Sequence, residues 1–113
     1  MSSPITTHAL DTATGAPAAG LPVELEQLTD DGWVSLVRAT TNSDGRVPGF
    51  TDGVTLTDAT YRMTFDTATY FDASGTEGFY PVVRVVFRIR EPGEHYHVPL
   101  LLSPFGYSTY RGS

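Results

Sequence analysis

The chain has 113 residues, which suits one domain of residues 1–113 and buries roughly two-thirds of the surface its unfolded form exposes. Its net charge of −6 argues against a nucleic-acid footprint and would be repelled by an acidic membrane surface, so any anionic ligand must be held by local positive charge. With no cysteine, disulfides, thiolate nucleophiles and thiolate zinc sites are excluded.

The opening Met1-Ser2-Ser3-Pro4 has neither a basic region nor an apolar run, so no signal peptide is expected. No apolar run has the length of a membrane span. A cytoplasmic protein is the expectation. Ile5 to Leu10 reads as a strand ended by Asp11 and Gly15. Leu21 to Thr29 and Trp33 to Thr40 read as a hairpin around Asp30-Asp31-Gly32, followed by a turn at Thr41-Asn42-Ser43-Asp44-Gly45. Arg46 to Thr57 reads as short strand and loop, broken by Pro48, Gly49 and Gly53. Tyr61, Met63 and Phe65 alternate with polar residues as a half-buried strand. Asp66 to Gly75 is the one helix, with Asp66 as N-cap and Gly75 past its end. In Val82 to Arg90, Val83, Val85, Phe87 and Ile89 face in while Arg84, Arg88 and Arg90 face out. Glu91 to Glu94 then reads as a hairpin turn onto a strand from His95 to Leu102, and Tyr107 to Arg111 as a last short strand. Seven or eight short strands, one short helix, Gly 11 and Pro 8 make the chain all-β, a β-sandwich.

The C-terminus carries the strongest signal. Chain ends usually fray into small polar residues, yet this one keeps Tyr107, Tyr110 and Arg111 almost to its last residue, so it is expected to pack into something. Alternation places Tyr96, Val98, Leu100 and Leu102 on a core face and His95, His97, Pro99 and Leu101 on the other. His8 likewise shares a face with Thr6 and Leu10, opposite Ile5, Thr7 and Ala9. Leucines beside histidines on a non-core face suggest that another subunit covers it.

His8, His95 and His97 are the only histidines. They read either as isolated strand histidines or as paired neutral imidazoles acting as general acid or base near neutral pH. His95-Tyr96-His97 also has a two-ligand metal spacing, with His8 as a third ligand; this reading is disfavoured because such matches are unspecific. Arg46 is either a solvated strand-start arginine or a planar fork for an acidic heterocycle or an oxyanion. There is no Gly-x-Ser-x-Gly elbow and no glycine-rich phosphate loop, so an enzyme of this sequence would use water as nucleophile.

Four segments in order, Thr7-His8-Ala9-Leu10-Asp11 through Gly15-Ala16-Pro17-Ala18, then Ser43-Asp44-Gly45-Arg46, Phe79-Tyr80-Pro81, and His95 to the terminal Tyr110-Arg111-Gly112-Ser113, resemble the 5-hydroxyisourate hydrolases, the transthyretin-related family. The resemblance spans the chain. It implies a transthyretin-like β-sandwich of two four-stranded sheets, and a homotetramer built as a dimer of dimers around a channel. It implies hydrolysis of 5-hydroxyisourate in urate catabolism without metal or organic cofactor. It carries the site onto His8, Arg46, His97 and Ser113 as catalytic residues, with Tyr110, Arg111 and Gly112 joining His8, Arg46 and Ser113 in substrate binding. Two rivals remain at this level. A hormone carrier shares the fold but has no need of the polar set, and a secreted structural module fits poorly with the missing leader and the packed-looking terminus.

Overall fold

The computed structural model describes residues 3–113, so the reading of a missing leader falls partly outside the described residues. The elements are β1 (Ile5–Thr6), β2 (Ala9–Asp11), β3 (Ala16–Pro17), β4 (Pro22–Thr29), β5 (Gly32–Thr40), β6 (Ala59–Phe65), α1 (Thr67–Ala73), β7 (Val83–Ile89), β8 (Tyr96–His97), β9 (Leu100–Ser103) and β10 (Gly106–Thr109). They form the expected two four-stranded sheets, in the orders β5-β4-β6-β7 and β10-β9-β2-β3. A parallel β1–β8 pair leads into the second sheet, because Val98 N–H donates to Thr6 O and Leu100 N–H to His8 O, each at 2.9 Å.

Period-two alternation builds the core from both layers. Val23 and Leu25 of β4, Tyr61, Met63 and Phe65 of β6, and Val83 and Ile89 of β7 are buried with Ile5, Ala9, Leu100 and Leu102 of the other layer. Each Val, Leu, Ile, Met or Phe side chain among these contributes about 1.5–3 kcal/mol on burial. The helix begins at its expected cap: Asp66 Oδ1 accepts from Thr69 N–H at 3.1 Å, and Gly75 follows the last turn with a φ of 65°.

Four local expectations change. The strands expected at Ile5–Leu10 and His95–Leu102 are each interrupted, at Thr7-His8 and at Val98-Pro99. Pro99 has no N–H to give a ladder, and it is buried rather than facing outward with His97 and Leu101. The turn Glu91–Glu94 does not close a hairpin. β7 pairs with β6, whereas β8 pairs with β1, so this turn crosses between the layers. Turn residues report a reversal but not which sheet the next strand joins. Tyr96 ties the crossover, its hydroxyl donating to Glu91 O at 2.9 Å. Arg46 to Thr57 holds no strand, only an isolated antiparallel bridge between His8 and Arg46. Finally, Ala16–Pro17 forms a short edge strand on β2 that the turn-rich sequence did not announce.

Candidate active site

Arg46, His8, His97 and Gly112 come from four distant segments, and backbone pairing draws them together. The Arg46 loop is shaped by Asn42, whose Oδ1 accepts from the N–H of Asp44 at 2.9 Å and of Arg46 at 3.0 Å. Gly45 then passes hard against β2. Its φ is 73°, its carbonyl accepts from Ala9 N–H at 2.9 Å, and a β-carbon there would lie 2.3 Å from Ala9 O. That approach sets Arg46 opposite His8. On the far side of His8, parallel pairing puts His97 level with Thr6, one pleat away. The tail closes the row, with Gly112 bridged to His97 and its N–H donating to His97 O at 2.8 Å.

The imidazole of His97 is half-buried and held on two sides. Thr6 Oγ1 lies 2.8 Å from Nδ1. Gly112 lies against the opposite edge of the ring, where a β-carbon would come within 2.5 Å of Cδ2. Nδ1 is thereby engaged, and Nε2 is the ring nitrogen left for chemistry. Burial pushes the His97 pKa below its ordinary 6.5, and the charges of Arg46, His8 and His95 push it the same way. His97 is therefore a neutral imidazole at neutral pH.

Arg46 forms no ion pair among the described residues. Its guanidinium lines a polar depression with Thr6, Asn42, Asp44 and Asp52, free to meet an anionic group. Beyond Gly112, Ser113 lines a second depression with Glu94, His95 and Arg111. Tyr110 and Arg111 do not join the histidine row as directly. Tyr110 is 58% exposed and borders an apolar cleft with Val85, Phe87 and Val98. The Arg111 guanidinium carbon stacks 4.6 Å from the Tyr96 ring centre, and Nη2 reaches Glu94 Oε1 at 3.3 Å. His95 is exposed, and its Nε2 lies 3.1 Å from the same Thr6 hydroxyl. Among the described residues no three His, Asp or Glu side chains converge as a metal-ligand set; His95 and His97 both address Thr6 instead. Thr6 was legible only as a residue sharing the outward face of His8, since its bond to His97 depends on parallel pairing of segments 91 positions apart.

The profile of the HIUase/Transthyretin family matches residues 5–112. The chain belongs to that family. It is 49% identical over 114 residues to the 5-hydroxyisourate hydrolase of Mus musculus, covering 99% of this chain and 97% of that one. The structure of 5-hydroxyisourate hydrolase from Klebsiella pneumoniae superposes with a TM-score of 0.85 at 34% identity, covering 98% of this chain and 94% of the other. Transthyretin from Sparus aurata superposes with a TM-score of 0.90 at 32% identity, covering 96% of each chain. Backbone likeness thus extends to both branches of the HIUase/transthyretin family and does not separate them.

Proposed function

We propose that this chain is a 5-hydroxyisourate hydrolase of urate degradation, and that the observation carrying the reaction is the row Arg46–His8–His97. The 49% identity to a hydrolase, against 32% to a transthyretin, supports the catalytic branch. A carrier of apolar ligands gains nothing from an unpaired arginine beside two imidazoles, since burying them without polar partners costs binding energy.

In this reading the anionic ring or the oxygen that becomes negative lies against Arg46, which stabilises charge formed only in the tetrahedral intermediate. His97, neutral and fixed through Nδ1, uses Nε2 to take a proton from the attacking water. Water oxygen bonds to C6 of 5-hydroxyisourate, the N1–C6 amide bond breaks, and the proton passes to N1. The product is 2-oxo-4-hydroxy-4-carboxy-5-ureidoimidazoline. His8 sits between Arg46 and His97 and positions the ring or water. Ser113, through its hydroxyl or terminal carboxylate, and Tyr110 orient the substrate. No metal or organic cofactor enters these steps. Leu10 and Leu101 are register partners, both half-buried on the outward face, which supports coverage of that face by further copies in a homotetramer.

The test is the decay of freshly generated 5-hydroxyisourate, followed by absorbance with and without protein. Acceleration that disappears in His97→Ala and Arg46→Ala supports the assignment; decay at the spontaneous rate with a folded protein refutes it.

A further inference from the structure

The hydroxyl of Thr6 stands between two imidazoles, 2.8 Å from Nδ1 of His97 and 3.1 Å from Nε2 of His95. Both are hydrogen-bond distances. A threonine hydroxyl has one proton to give and lone pairs to receive, so it cannot donate to both rings at once. Two arrangements join the three groups in one continuous donor–acceptor chain. In one, His97 Nδ1–H donates to Thr6, whose O–H donates to His95 Nε2. In the other, His95 Nε2–H donates to Thr6, whose O–H donates to His97 Nδ1. The first leaves His97 Nε2 as a bare lone pair, a base. The second places a proton on Nε2, a donor.

The two rings differ in their access to water. His97 is half-buried, and His95 is exposed. The groups facing this chain of bonds are Arg46 and His8 on one side, and Glu94, Arg111 and the Ser113 terminus around His95 on the other. Burial, Arg46, His8 and His95 all oppose a lasting positive charge on His97. In the depression that His95 lines, the Arg111 guanidinium is paired with Glu94 at 3.3 Å.

We infer that Thr6 and His95 form a proton relay that switches His97 between base and acid and connects its buried edge to solvent. The inference rests on the hydrolase reading for its use in turnover, but not for its existence. When Nε2 of His97 takes the proton of the attacking water, its Nδ1 proton moves to Thr6 Oγ1 as Thr6 passes its own proton to His95 Nε2. The positive charge now lies on exposed His95, and His97 is neutral with Nε2–H. Return of one proton along the same bonds lets Nε2 protonate the departing ring nitrogen, leaving every relay group as it began. No proton is gained or lost beyond those of the water consumed. Thr6 and His95 are thus positioning residues that act through His97.

The experiment uses the intact protein and two readouts. Nitrogen-15 NMR of the histidine rings reports which nitrogen of His97 is protonated as His95 is titrated, with no substrate present. In the wild type, protonating His95 is expected to drive His97 to the Nε2–H form, and Thr6→Val is expected to abolish that response. In the hydrolysis assay, Thr6→Val is expected to lower kcat by about 10–100-fold at little-changed KM, at or below the usual span for lost acid–base function. Thr6→Ser should restore both readouts, and His95→Gln should lose rate that added imidazole recovers. A His97 tautomer indifferent to His95 in the wild type overturns the relay, as does a Thr6→Val rate loss that Thr6→Ser fails to repair or a His95→Gln rate equal to wild type. Absence of hydrolysis in the wild type would refute the assigned reaction alone, because the NMR titration still decides the relay.

Discussion

Gly112 rests against the imidazole of His97 so closely that a β-carbon in its place would lie 2.5 Å from Cδ2. Its backbone N–H also donates to His97 O at 2.8 Å, so it cannot retreat without losing that bond. The third residue of the terminal tetrapeptide is therefore a glycine for reasons of space. It lets the chain end close on the His97 ring.

Gly112→Ala is expected to push the His97 ring off its bond to Thr6. A displacement of this kind alone costs about 10²-fold in rate. The melting temperature should stay near wild type, because the tail lies outside the core. Steady-state hydrolysis beside a melting curve checks this; a wild-type rate would show that the tail accommodates the methyl group by moving.

The pH profile follows from His97. A base must be neutral to act, and burial with the Arg46 and His8 charges holds this group below 6.5. Hydrolysis should therefore persist below pH 6.5 and fall only as pH drops through the lowered value. Arg46→Gln removes one opposing charge, so the acid limb of the normalised kcat/KM profile should move to higher pH. The same sign holds for stability. The fold disfavours charged His97, so its penalty begins as pH falls below 6.5 and is complete below the folded value. An acid limb unmoved by Arg46→Gln would mean that the arginine does not act on this ring.

Deleting Tyr110-Arg111-Gly112-Ser113 should leave the sandwich folded. Val83, Ile89, Val98, Leu100 and Leu102 are buried without the tail's side chains being part of the core. The deletion removes the wall beside His97 and, in the proposed reading, the polar end that orients substrate. A rate loss of about 10²-fold or more is expected with cooperative melting retained. Loss of folding would instead show that Arg111 on Tyr96 holds the crossover.

Tyr70 and Asp11 tie the helix to the second sheet. The Tyr70 hydroxyl donates to Asp11 Oδ2 at 2.7 Å, while Asp11 Oδ1 accepts from the N–H groups of Ala13 and Thr14. Burial, with the Asp11 carboxylate, pushes the Tyr70 phenol up to about 12. Tyr70→Phe takes one partner from a buried carboxylate and should cost about 1–3 kcal/mol in chemical denaturation. kcat should be unchanged, since this pair lies away from the His97 row.

Leu10 and Leu101 give the assembly prediction. Sedimentation at micromolar concentration should show four copies of the 12.2 kDa chain, about 49 kDa, in a closed assembly. Replacing both leucines with Asp should yield smaller species. An active wild-type monomer would show that the outward leucines need no partner.

Local chemistry was legible along the chain because its causes are local. Alternation alone assigned the inward faces of β6 and β7, and Asp66 and Gly75 marked the helix ends through capping and a left-handed turn. The same alternation put His8 and His97 on outward faces, and the ordered segments ending in Tyr110-Arg111-Gly112-Ser113 pointed to the family. What alternation cannot carry is the identity of the neighbour. Whether the Glu91–Glu94 turn closes a hairpin or crosses the sandwich depends on whether the next strand pairs with β7 or, as here, with β1, a property of the whole fold. The contacts of Thr6 with His97, Gly45 with Ala9 and Gly112 with His97 join residues far apart in sequence, and each depends on parallel register or on packing to within a single methyl group. Only the tertiary structure decided them, because a strand's side-chain period states which way a residue points and nothing about what it meets there.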